Sequence, residues 1–181
     1  LSDASGDNAV FEYLGGKLII HHSPEYTVMT NSPVFDEQLA LNNYWKGIPG
    51  TVMLPGTNRA ADRFVRASYY IDAIPKTADT RTAVASVFSV IRNCSVPYGI
   101  TTENEPNISS TRWRSVSDQK NLVYYFETVF TPNTFWVNLK EFDLTEKGKV
   151  MKLDLSNFQT YNGKANSNFK ESTPFKFLGL N

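Results

Sequence analysis

A chain of 181 residues, 41% apolar and 13% aromatic, can bury a sizeable core, is too apolar to be disordered, and by length is one domain. Eighteen basic residues balance eighteen acidic ones, so no long-range field draws the chain to nucleic acid or an anionic membrane. No apolar run approaches the roughly 18 residues a membrane-spanning helix needs, and the lone Cys94 excludes an intramolecular disulfide and a paired-cysteine metal site.

The start, Leu1-Ser2-Asp3-Ala4-Ser5-Gly6, has no initiator Met, basic stretch or apolar block, and reads as a piece of something longer. Residues 9–14 and 17–22 read as strands, and Gly15-Gly16 between them signals a two-residue hairpin. His21 and His22 close the second strand. Neighbours on a strand face opposite ways, so they do not share a metal; one is expected half-buried and one at the surface.

Residues 28–31 predict a third strand, ended at Ser32-Pro33 by the proline. A helix is expected from Phe35 to Tyr44, with Phe35, Leu39 and Leu41 or Asn42 near helical spacing. Asn31 thus lies where a strand gives way to a helix. Two readings of it stay open: an amide that bonds the turn, or one aimed at a ligand from a well-held position.

Residues 47–56 carry two prolines and three glycines and read as a loop. Thr57-Asn58 then caps a helix reaching Ala73, with a core stripe of Ala61, Phe64, Val65, Ser68 and Ile71. Arg59, Arg63, Arg66 and Tyr70 share another face of it. Such a stripe is ordinarily solvated; a buried member becomes a candidate for charge chemistry. A further helix from Thr77 or Asp79 to Asn93 carries Val84, Val87, Phe88 and Ile91, and stops at Val96-Pro97-Tyr98-Gly99. Residues 103–110 form a polar loop with a sequon at Asn107, as also at Asn93, a triplet frequent by chance.

The last third reads as strands. Residues 111–117 alternate, and residues 122–130 are apolar on both faces, which predicts a strand covered on both sides. Thr131-Pro132-Asn133-Thr134 turns the chain into a strand at 135–139, and a short one is expected at 151–155. The polar tail from Tyr161 is expected to wrap the surface. Strands, then helices, then strands make an α+β order rather than an alternating one. No phosphate-binding glycine loop, nucleophile elbow or metal cluster is legible, so no cofactor or metal is expected. Cys94, at a helix end with no His nearby in sequence, reads as a structural thiol rather than a nucleophile.

Four segments add a more specific reading. They are Ser2-Asp3-Ala4-Ser5-Gly6 before a strand; Met29-Thr30-Asn31-Ser32-Pro33 with Phe35-Asp36, Gln38-Leu39 and Leu41-Asn42-Asn43-Tyr44; Leu54-Pro55-Gly56 with Arg63-Phe64-Val65-Arg66-Ala67; and Ser95-Val96-Pro97-Tyr98-Gly99 with Thr111-Arg112-Trp113 and Asn121-Leu122-Val123-Tyr124-Tyr125-Phe126. Together they resemble the choloylglycine hydrolase family, which includes bile salt hydrolases and penicillin V acylases.

That resemblance implies an Ntn hydrolase with a four-layer αββα sandwich, of which this chain covers the second half. It implies an N-terminal Cys whose thiol attacks a linear amide, with its own α-amine as base. By motif, Asn31 would be an oxyanion-hole donor and Arg63 the buried cation of the catalytic cluster, leaving Arg66 structural. The nucleophilic Cys and the Arg and Asp that follow it in the family have no counterpart here, and Cys94 falls in the Ser-Val-Pro segment. The chain is therefore expected to be inactive alone and to need an N-terminal portion of the same protein as partner.

The resemblance implies conjugated bile salts as substrates, with penicillin V or an N-acyl-homoserine lactone as the alternative. A non-catalytic binding domain that keeps the fold is the alternative from another class. The span from Asn31 to Arg63 is shorter than in Gram-positive bile salt hydrolases, where an insertion joins tetramers. It looks more like Gram-negative, Bacteroides-type members, whose precursors often carry export signals. A bacterial periplasmic or secreted homo-oligomer, tetramer or dimer, is expected, with the cytoplasm as the alternative compartment.

Overall fold

The computed structural model describes residues 1–48, 53–106, 108–131 and 133–179. Part of the loop expected at 47–56, the sequon at Asn107 and Pro132 of the expected turn lie outside the described residues. The chain forms two compact units, Leu1–Thr111 and Arg112–Asn181.

The first unit opens with strands β1 (Ala9–Leu14) and β2 (Lys17–His22), paired antiparallel with Leu14 opposite Lys17. Gly15 and Gly16 both adopt positive φ, 56° and 79°, as a two-residue turn with the right twist requires. One face of the hairpin carries Val10, Glu12 and His21. The other leaves Phe11, Tyr13, Leu18 and Ile20 exposed.

Helix α1 (Phe35–Lys46) starts as expected and runs two residues further. Glu12 begins it from outside: both its carboxylate oxygens accept the Phe35 N–H at 3.1 Å. Asp36 and Glu37 add negative charge at the positive end of the helix dipole. The buried positions are Phe35, Gln38 and Asn42, while Leu41 is exposed. Phe35 packs with Val10 and Phe64, and Tyr26, Val28 and Leu39 close the cluster.

Residues 28–31 are not a strand, contrary to the expectation from their composition. The polar groups that would enter a ladder are taken by a side chain: Thr30 donates its N–H to Gln38 Oε1 at 3.2 Å and accepts from Gln38 Nε2 at 3.0 Å.

Helix α2 (Ala60–Ala73) buries Ala60, Phe64, Val65, Arg66 and Ser68. Its N-cap position is Arg59, not Thr57-Asn58, and no side chain caps it directly. Thr57 instead donates its hydroxyl to Asp62 Oδ2 at 2.6 Å and accepts the Arg59 N–H at 3.2 Å, tying the incoming loop to the first turn. Helix α3 (Thr80–Asn93) is capped by Asp79, whose carboxylate accepts the Thr82 N–H at 2.8 Å. Phe88 and Val90 are its buried residues.

In the second unit β3 (Trp113–Asp118), β4 (Val123–Thr128) and β5 (Phe135–Asn138) pair antiparallel in sequence. Both faces of β4 are half-buried, and its most buried residue is Glu127, which accepts from Arg114 at 3.2 Å and from Thr134 at 3.1 Å. A short β6 (Met151–Lys152) follows; it pairs with β8 (Lys170–Glu171), and between them β7 (Gly163–Lys164) joins β5 in parallel.

The tail enters the core at Ala165 and Phe169, while residues 173–179 are exposed at the surface as expected. Ala165 is fully buried with Phe135 and Val137, and Phe142, Tyr161 and Phe169 pack on them. Asn166 explains the docking: its carboxamide accepts the Asn138 N–H at 2.9 Å and donates to the Asn138 carbonyl at 2.8 Å, as a neighbouring strand would.

Candidate active site

The two residues that the motif resemblance singles out meet in the first unit. Arg63 projects from the first turn of α2, and its Nη2 donates to Asn31 Oδ1 at 2.8 Å. Its Nε donates to the Asn58 carbonyl at 3.1 Å, so the guanidinium is held by the loop that enters its own helix. A guanidinium can only donate, which fixes the Asn31 amide with its oxygen toward Arg63. Its Nδ2 makes no hydrogen bond among the described residues, and Asn31 is exposed.

The burial of the two arginines differs from the expectation. Arg66 is the buried one, at 8% exposure, and Arg63 is half-buried. The Arg66 Nη1 donates to the Pro55 carbonyl at 2.7 Å and the Thr57 carbonyl at 2.9 Å. It pins the loop before α2, which also presents the Asn58 carbonyl to Arg63.

Cys94 follows α3 and is half-buried, with its Sγ 3.7 Å from the Arg63 carbonyl. Burial pushes this thiol up from its ordinary value, although the Arg66 and Arg63 charges act the other way. At neutral pH it is a protonated thiol spent on a backbone carbonyl, with no base beside it in the described contacts. Cys94→Ala in the full-length protein is therefore expected to leave turnover close to the parent. Alkylation of native Cys94 at pH 7 should be slower than that of a free thiol and accelerate only as pH rises through its raised pKa. Loss of turnover in Cys94→Ala would reverse the assignment.

The histidines pair with acidic residues rather than with Asn31 or Arg63. His21 is half-buried, 3.1 Å from Glu12 and 3.6 Å from Asp36, with its ring against Phe35. His22 is exposed and pairs with Asp7. Among the described residues no group of three or more His, Cys, Asp or Glu is arranged to hold a metal. Gln38, quoted above only as part of a motif, is fully buried and bonded to the segment carrying Asn31. A signal existed: Gln38 lies three residues after Phe35 and so shares its inward face.

A family model described as linear amide C-N hydrolases, choloylglycine hydrolase family, matches residues 1–161. The chain belongs to the choloylglycine hydrolase family. It is 52% identical over 195 aligned residues to a penicillin V acylase of Pectobacterium atrosepticum, covering 99% of this chain and 52% of that protein. A bile salt hydrolase/transferase of Clostridium perfringens is 26% identical over 71% of this chain and 45% of that one.

Among solved structures, a penicillin V acylase from Agrobacterium tumefaciens superposes with a TM-score of 0.92 at 62% identity, covering 99% of this chain and 57% of that one. A variant of conjugated bile acid hydrolase from Clostridium perfringens shares the fold, with a TM-score of 0.69 at 23% identity over 99% of this chain and 55% of that one. The α+β fold expected from the order of elements is the fold of these neighbours. The chain spans just over half the length of the penicillin V acylases it matches.

Proposed function

We propose that this chain supplies the oxyanion-binding part of a linear amide hydrolase, and that the nucleophile is an N-terminal cysteine in a portion of the same protein preceding this sequence. The observation that carries the reading is the Arg63–Asn31 bond, which occupies the amide oxygen and leaves the Nδ2 hydrogens as donors. In the first step the cysteine's α-amine takes the thiol proton, the thiolate adds to the amide carbon and the carbonyl π pair moves onto oxygen. Asn31 Nδ2 donates to that oxygen, and the Arg63 charge lies behind the donor. Collapse of the tetrahedral species expels the amine, which takes a proton from the cysteine's α-ammonium. Water then cleaves the thioester through a second oxyanion at the same donors.

Membership of the family supports the bond class. The two penicillin V acylases at 62% and 52% identity favour the acyl amide of penicillin V over conjugated bile salts, whose named relatives are at 26% identity or less. This shifts the substrate from the bile salts that the motifs alone suggested. Homo-oligomeric assembly and residence outside the cytoplasm belong to the same proposal.

The test is turnover of the full-length protein on penicillin V beside glycine- and taurine-conjugated bile salts and an N-acyl-homoserine lactone. Penicillin V is expected to give the highest kcat/KM. A bile salt preference would overturn the substrate, and a folded protein that hydrolyses none of them would make this a binding domain.

A further inference from the structure

We propose that Gln38 is a positioning residue for the Asn31 donor, an inference that rests on the oxyanion reading above. Gln38 is fully buried on the inner face of α1, where an apolar side chain would be the cheaper occupant. Its carboxamide makes three bonds to one short stretch of chain, and its Oε1 shares the single Thr30 hydroxyl proton with the Ala60 carbonyl. Oε1 accepts the Thr30 N–H at 3.2 Å and faces the Thr30 hydroxyl at 2.9 Å. Nε2 donates to the Thr30 carbonyl at 3.0 Å and the Pro33 carbonyl at 2.6 Å.

Only Asn31 and Ser32 lie between the clamped residues. The amide therefore grips the backbone on both sides of Asn31, while Arg63 grips its side chain. The two grips share a reference point. The Thr30 hydroxyl also lies 2.9 Å from the carbonyl of Ala60, the first residue of the helix that carries Arg63. Asn31 is thus located relative to α1 and α2 together, although it sits outside any helix or strand that would hold it.

A donor serves an oxyanion only while its position is held to about 0.5 Å. Displacement of a catalytic group by about 1 Å costs on the order of 100-fold in rate. Gln38→Met keeps the volume and removes every one of these bonds, so Asn31 would lose its backbone grip without losing its side chain.

The experiment is a double-mutant cycle on kcat and KM in the full-length protein, with Gln38→Met and Asn31→Ala, on the best amide found above. Gln38→Met is expected to lower kcat by about 10- to 100-fold with KM little changed. In the Asn31→Ala background the same substitution should lower kcat hardly at all, because the loop then carries no donor. Losses that multiply, or a change confined to KM, would overturn the proposal. Gln38→Glu repeats the cycle with a variant that keeps the acceptor toward the Thr30 N–H but sets an oxygen against both carbonyls; the same non-additive loss is expected. Failure of both variants to fold by circular dichroism would make Gln38 a folding residue and end the proposal. Parent-like turnover in Asn31→Ala alone would instead remove the oxyanion reading on which it rests.

Discussion

Arg63→Ala in the full-length protein lowers kcat by about 100-fold or more, the scale of losing a preorganised electrostatic group at a developing oxyanion. The substitution removes a positive charge beside the donor and also releases the Asn31 amide, whose oxygen Arg63 holds at 2.8 Å. Without a donor-only partner that amide is free to flip and offer its oxygen to the substrate. Arg63→Lys restores little, because a single ammonium cannot span the Asn58 carbonyl and Asn31 as the guanidinium fork does.

Arg66→Ala provides the contrast. It deletes two charge-assisted bonds, to the Pro55 and Thr57 carbonyls, in a buried place. At about 1.5 kcal/mol or more for a bond from a charged donor, the loss is about 3 kcal/mol of stability. The melting temperature therefore falls in Arg66→Ala, while kcat per folded molecule falls far less than in Arg63→Ala. Turnover normalised to folded protein, read beside a thermal melt, checks both. Equal kcat in the two variants would contradict the assignment.

The elements most legible in the sequence are those that local physics decides. Gly15-Gly16 between two apolar runs names its own turn, and Asp79 caps the helix it precedes. Helices α2 and α3 announce themselves by spacing. What was not legible depends on side chains that impersonate backbone. Gln38 replaces the neighbour that residues 28–31 would need to become a strand. Asn166 does the same for the end of β5, from 28 residues away, and sets the neighbouring Ala165 into the core. Neither partnership leaves a periodic trace.

The site shows the same division. Asn31 and Arg63 stand out only through a resemblance of motifs, since an Asn before a proline and an Arg on a helix are ordinary residues. Their mutual bond spans 32 residues and comes from tertiary packing. Which arginine is buried depends on how the loop at Pro55 and Thr57 folds back over α2, so three-residue spacing alone could not rank Arg63 and Arg66. The catalytic thiol proposed for the whole protein lies outside this sequence, and Cys94, engaged with the Arg63 carbonyl, is no substitute for it.

The donor itself is the larger claim. Asn31→Ala removes the side chain that Arg63 holds, on the stretch that Gln38 clamps at Thr30 and Pro33, and leaves both of those residues in place. Because an oxyanion donor acts mainly once charge has moved onto the oxygen, its loss falls on kcat and spares KM. The decisive measurement is the pair of steady-state constants for Asn31→Ala in the full-length protein on penicillin V. A fall of about 100- to 1000-fold in kcat with KM nearly unchanged is predicted; parent-like kcat, or a loss confined to KM, would contradict it.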